Sequence, residues 1–169
     1  MKKILSILIV GILALGLVAC GSKQTTNNEQ KSKIYKLGEE VFVKDENGKE
    51  VYSLKINEVK TDNDFEYKKD FPESNRKQIV EVTYNYKNIA KDDENKLELH
   101  GADLKVMDSK GAMAQSSDMY PKQKPQKTPV GANCTVQAYY GLENLSDKVR
   151  IVFSSESYNT TIEFEVPVK

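Results

Sequence analysis

An enzymatic nucleophile is ordinarily activated by a neighbouring base, most often histidine. This chain has one histidine, His100, which follows Leu99 and precedes Gly101. That position at the edge of a short apolar pair suits a surface imidazole better than a general base. Of the two cysteines, Cys20 and Cys134, the second stands in an alternating apolar stretch with no histidine nearby. It reads as a small buried hydrophobe rather than a reactive thiol. One histidine and two cysteines do not supply a zinc site of the usual kind. Asp62-Asn63-Asp64 and Asp92-Asp93-Glu94-Asn95 are rich in oxygen donors, the type calcium prefers. Neither has the spacing of a calcium-binding loop, and solvated turns account for both. Ser154-Ser155-Glu156-Ser157 lacks the flanking glycines of a nucleophile elbow. The expectation is therefore a non-enzymatic chain with no catalytic residue, no metal and no cofactor. The alternative is a small enzyme whose site carries no recognisable motif.

What remains for recognition is aromatic and basic. Two long connections, Thr61–Lys77 and Met119–Gly131, interrupt the regular pattern. The first carries Phe65, Tyr67 and Phe71; the second carries Tyr120 with Lys122, Lys124 and Lys127. Aromatic anchors within a polar rim are the usual composition of a contact surface. Lysines add attraction to an acidic partner, weakened by salt. These seven residues form the expected contact surface, and its partner would be an envelope protein or an anionic polymer. The competing reading is that the aromatics tuck under their own loops and the lysines keep a sheet edge soluble.

The charge balance narrows the partner. The 169 residues contain 25 basic and 25 acidic side chains. Lys2 and Lys3 lie in the first twenty residues, which hold no acid, so the remainder carries a net charge of −2. Nucleic-acid binding driven by phosphate neutralisation needs a basic surface, so no nucleic acid is expected as a partner.

The positioning elements begin with an address. Met1-Lys2-Lys3 is followed by an apolar run from Ile4 to Ala19, broken only by Ser6 and two glycines. As a helix it would reach about 24 Å, short of the ~30 Å hydrocarbon core. Residues 1–19 therefore read as a secretory signal peptide. Its end, Leu17-Val18-Ala19-Cys20, resembles the lipobox of bacterial lipoproteins, and Gly21-Ser22 fits the small residues that follow one. The resemblance implies that Leu17, Val18 and Ala19 are read by the signal peptidase. It also implies that Cys20 carries a lipid and anchors the protein to the outer face of the cell membrane. Two acyl chains give stable attachment where one does not. Residues 20–33 follow as a tether. The segment from Gly21 to Ser32 has no large apolar side chain, a composition that cannot fold on its own.

From Ile34 to the end, residues 34–169, the apolar period is two. Val41 and Val43 lead into Asp45-Glu46-Asn47-Gly48, a hairpin signal, and Tyr52, Leu54 and Ile56 share a face in the strand that follows. Val80, Val82, Tyr84 and Tyr86 alternate with polar residues. Leu97 and Leu99 suggest a short strand, and Leu104 and Val106 precede the turn Asp108-Ser109-Lys110-Gly111. Further alternating faces run from Cys134 to Tyr140, from Val149 to Phe153 and from Ile162 to Val168. Prolines 121, 125 and 129 exclude a central strand in the second long connection. Seven or more short strands without a helical stripe predict an all-β, antiparallel β-sandwich.

Several segments together resemble a known family. They are Tyr35-Lys36-Leu37-Gly38-Glu39-Glu40-Val41, the strand Gln78 to Asn88 with its terminal asparagine, Asp108-Ser109-Lys110-Gly111 and Pro129-Val130-Gly131. They look like the telokin-like, immunoglobulin-type domain of unknown function found on bacterial exported lipoproteins. The resemblance spans about residues 35–168. It implies an immunoglobulin-like sandwich outside the cytoplasm and no catalytic residues.

Overall fold

The computed structural model describes residues 33–90 and 97–169. The signal peptide with Leu17, Val18, Ala19 and Cys20, all of the tether except Lys33, and the acidic run 92–95 lie outside the described residues.

Among the described residues, nine strands form two sheets. They are β1 (Ile34–Tyr35), β2 (Glu40–Lys44), β3 (Glu50–Thr61), β4 (Gln78–Asn88), β5 (Leu104–Met107), β6 (Gln115–Ser116), β7 (Asn133–Leu142), β8 (Lys148–Ser155) and β9 (Thr160–Pro167). The larger sheet runs β2-β3-β4-β7-β6 and the smaller β1-β9-β8-β5. The result is an immunoglobulin-like β-sandwich. Among the described residues all strand pairings are antiparallel except the two-residue β1–β9 contact, which is parallel and departs from the expected all-antiparallel pattern.

Period-two sequence makes this possible because alternate side chains leave opposite faces of a strand. Val80, Val82, Tyr84 and Tyr86 of β4 point between the sheets and are fully buried. Val149, Ile151, Phe153, Ile162, Phe164 and Val166 face them from β8 and β9 in the same core. The tyrosine hydroxyls are not left dry. Tyr84 donates to the Leu99 carbonyl at 2.8 Å and Tyr140 to the Gly101 carbonyl at 2.8 Å. Those bonds explain why the expected Leu97–Leu99 strand is reduced to one bridge, Leu97 to Thr128, followed by a 3-10 turn over Gly101–Asp103. Side chains satisfy the backbone there, so a ladder is not required.

The turns follow their residues. Gly48 and Gly111 take positive φ, 76° and 85°, which glycine adopts without a Cβ penalty. Asp108 is almost fully buried. Its carboxylate accepts from the backbone N–H of Lys110, Ala112 and Asn144 and from the Asn144 amide. Burial pushes that carboxyl up, but the hydrogen bonds outweigh it and hold the pKa below the ordinary value. At the end of β4, Asn88 Nδ2 donates to the Thr128 carbonyl at 2.9 Å, and the Asn88 carbonyl accepts from Gly131. This ties the Pro129–Gly131 turn to the central strand.

Candidate functional site

The two long connections are both held on the larger sheet, but for different purposes. In the first, Phe65 and Phe71 join Ile79 and Tyr139 in a second, smaller apolar cluster on the outer face of β4 and β7. Phe65 stacks on Tyr139 with ring centroids 4.0 Å apart, and Tyr67 meets Phe65 edge-on at 5.7 Å. Arg76 staples the loop by donating to the carbonyls of Phe71 at 2.6 Å and Lys69 at 2.8 Å. Phe65 and Phe71 are 3% and 1% exposed, so the expectation that they line a contact surface is corrected. They cover an apolar patch that the sheet presents outward. Tyr67 is half-buried against the same cluster. Tyr120 is also half-buried, and its hydroxyl accepts the Gly101 N–H at 2.8 Å. It anchors a neighbouring segment and also lines the groove described below. Replacing Phe65 or Phe71 by serine is expected to cost about 3–5 kcal/mol, the scale of a core aromatic. Urea unfolding of each variant checks this; a loss below about 0.5 kcal/mol, the surface scale, would return them to the surface.

The lysines behave as expected of a surface: Lys122, Lys124 and Lys127 are all exposed. They sit on a strap that runs along the outer edge of β7. Ser117 N–H donates to the Tyr139 carbonyl at 2.8 Å, and Gln137 N–H donates to the Gln123 carbonyl at 2.9 Å. The strap then swings away. Tyr86 Oη donates to the Gln126 carbonyl at 2.6 Å and accepts the Gln126 N–H at 3.0 Å, while Thr128 bridges to Leu97. Buried Pro125 and Thr128 complete the anchorage. Between this arc and the start of β7 lies a groove of about 550 Å³. Its walls carry the three lysines and its floor Cys134 and Thr135, with no Asp or Glu lining it among the described residues.

Lys122 is fixed by a hub that the sequence did not announce. Glu81, on the outer face of β4, is fully buried. Lys122 Nζ lies 2.7 Å from one carboxylate oxygen and Lys60 Nζ 3.1 Å from the other. Tyr139 Oη and Gln137 Nε2 each donate to the same carboxylate at 2.7 Å. Burial alone would raise the pKa; the bonds from Lys122, Tyr139, Lys60 and Gln137 outweigh it and bring it to about 2. The partnership also raises the pKa of Lys122. In the alternating pattern Glu81 is an ordinary outward polar residue, so no local signal marks it. The hub compensates the charge of Lys122. Lys124 and Lys127 have no ion-pair partner among the described residues.

The remaining candidates for chemistry are dispersed. His100 is half exposed, 3.5 Å from Glu98, and its backbone N–H donates to Asp103 at 2.7 Å at the head of the 3-10 turn. Cys134 is buried, with its thiol 3.9 Å from the Lys124 carbonyl. In the Asp62-Asn63-Asp64 run, Asn63 accepts the Ile79 N–H at 2.9 Å, which makes the run a turn that docks its loop. Among the described residues, no group of three or more His, Cys, Asp or Glu side chains converges in a way that could hold a metal ion. No helix among them is long and apolar enough to cross a membrane.

No protein-family model matches this sequence, and no curated protein matches it. The fold is similar to that of a solved structure, the secreted protein MPT63 from Mycobacterium tuberculosis. The two align with a TM-score of 0.58 at 15% identity, over 82% of this chain and 98% of that one. At that identity the similarity is one of fold, a β-sandwich of two sheets.

Proposed function

We propose that this chain is a lipid-anchored, extracytoplasmic binding module of the telokin-like, immunoglobulin-type class, that it is not an enzyme, and that it binds an acidic ligand at the lysine strap. The observation that carries the reading is the groove of about 550 Å³, whose walls carry three lysines and, among the described residues, no acid. Ordering a loose loop on binding costs entropy, whereas a strap pinned at Gln123, Gln126 and Thr128 holds the backbone beneath its lysines already in place. Loops held by a rigid sandwich are where such folds usually carry recognition. The anchor reading rests on Leu17-Val18-Ala19-Cys20, and the shared fold with a secreted protein supports a place outside the cytoplasm.

Two experiments separate the halves of this reading. Cys20→Ser is expected to release the protein from the membrane or leave its precursor uncleaved; a variant processed and membrane-bound like the parent would refute the anchor. For the ligand half, the full chain is expected to bind poly-L-glutamate at low ionic strength and to release it as salt rises. The double variant Lys124→Glu, Lys127→Glu is expected to abolish that binding. Equal binding by the double variant would place the acidic-ligand face elsewhere.

A further inference from the structure

The floor of the strap groove is an unfinished sheet edge. Strand β7 lies opposite β4 residue by residue, Cys134 facing Tyr86 and Thr135 facing Asn85, and in an antiparallel pair only alternate residues exchange backbone bonds with the partner strand. The odd-numbered residues turn their backbone groups to the outside of the sheet. The strap confirms the direction: the Tyr139 carbonyl receives Ser117 N–H, and the Gln137 N–H reaches the Gln123 carbonyl. Together with β6, which pairs at Gly141 and Tyr140, these bonds cover the C-terminal half of the edge.

Past Gln123 the strap leaves the strand, and the covering stops. Among the described residues, no other backbone group bonds to the outward N–H or C=O of Thr135 or Asn133. The Thr135 carbonyl has only a 3.7 Å approach from the Cys134 thiol. Both residues line the groove, under Lys124 and Lys127. An open edge is a template for another strand. Proteins exploit such edges to capture extended peptides, with backbone bonds giving affinity and flanking side chains giving selectivity.

We infer that the groove receives an extended acidic peptide segment of a partner protein as an added strand on β7 at Asn133–Thr135. The inference rests on the strap being the binding face and specifies its ligand. Charge complementarity selects the occupant: among the described residues, Lys124 and Lys127 have no ion partner and no carboxylate lines the groove to repel an acidic one. The unpaired backbone donors and acceptors favour a peptide over a polymer that offers charge alone. The segment engaged is short, because residues 133–135 span only about 7 Å at the strand rise of 3.4 Å per residue.

The test uses the ¹⁵N-labelled full chain and two probes at low salt: a capped pentapeptide alternating valine and glutamate, and inorganic polyphosphate. The pentapeptide is expected to shift the Thr135 and Asn133 amides saturably and to protect Thr135 from hydrogen exchange. N-methylating the pentapeptide backbone is expected to weaken it at least about tenfold, a loss of 1.4 kcal/mol. Thr135→Pro removes one outward N–H without touching the β4 ladder, so the variant is expected to fold. It should lose the peptide and keep polyphosphate. Polyphosphate binding without the peptide, or equal binding of the N-methylated peptide, would overturn strand addition while leaving the acidic-ligand reading intact. Failure of both probes to bind would overturn both.

Discussion

Replacing Gly141 by alanine is expected to destabilise the sandwich by about 3 kcal/mol, the upper end of ordinary overpacking. Gly141, next to the end of β7, is paired on both sides, with Ile79 of β4 and Gln115 of β6, and its φ is not positive. The requirement for glycine is therefore space. A Cβ there would overlap the backbone oxygen of Asn75 and meet the Phe71 ring at 3.0 Å. Backbone cannot swing aside as a side-chain tip can. The Thr61–Lys77 loop must lift, taking Phe71 from the cluster it shares with Phe65, Ile79 and Tyr139. Urea unfolding should show the loss, and limited proteolysis should cut the Thr61–Lys77 loop first. A Gly141→Ala protein within about 0.5 kcal/mol of the parent would mean that the loop is not seated as described.

The second large effect is expected at Glu81. Glu81→Ala deprives Lys60, Lys122, Gln137 and Tyr139 of their common acceptor. Breaking a buried ion pair typically costs about 3–5 kcal/mol. The two ammonium groups here can turn to water, which puts the expectation near the lower figure, about 3 kcal/mol. The pH dependence carries a definite sign. Folding lowers the Glu81 pKa from 4.5 to about 2. Its contribution is therefore complete above the unfolded value and lost as pH falls through the folded one. A shift of that size corresponds to about 3 kcal/mol. Asp108 shifts in the same direction, so the clean observable is the difference between the parent and Glu81→Gln. That stability gap is expected to be wide at neutral pH and to shrink between about pH 4.5 and pH 2. A gap independent of pH over that range would show that the Glu81 charge does not hold the hub.

The strands were legible because an alternating sequence can place only one set of side chains in a core. That logic located β2, β3, β4, β5, β7, β8 and β9 from their apolar positions alone. It could not see β1 or β6, each two residues long, or the bulge between Ile56 and Glu58. The destination of Phe65 and Phe71 depended on a second apolar face, and two doublets hinted at one. Ile79-Val80 and Tyr139-Tyr140 each place neighbouring large apolar residues on opposite faces of a strand, and all four are buried. A doublet of that kind asks for cover on both sides of the sheet, which the Thr61–Lys77 loop supplies. The lysine strap was legible as composition. The hub at Glu81 was not, because its partners lie 21, 41, 56 and 58 residues away in sequence at Lys60, Lys122, Gln137 and Tyr139. An outward glutamate in a strand looks the same whether water or four donors surround it.

The central claim, that the strap engages a ligand where the protein works, is open to one direct measurement. Lysines are acylated with a small amine-reactive reagent in intact cells and on the purified full chain, and each modified residue is quantified by mass spectrometry. Lys44, at the end of β2, and Lys110, on the turn after β5, are exposed and lie outside the groove lining, so they serve as internal references. Occupancy of the groove at ten times its dissociation constant is expected to slow labelling of Lys124 and Lys127 about tenfold relative to those references in cells. The purified chain should show no such difference. Equal relative labelling of Lys124 and Lys127 in cells and in the purified chain would contradict the account.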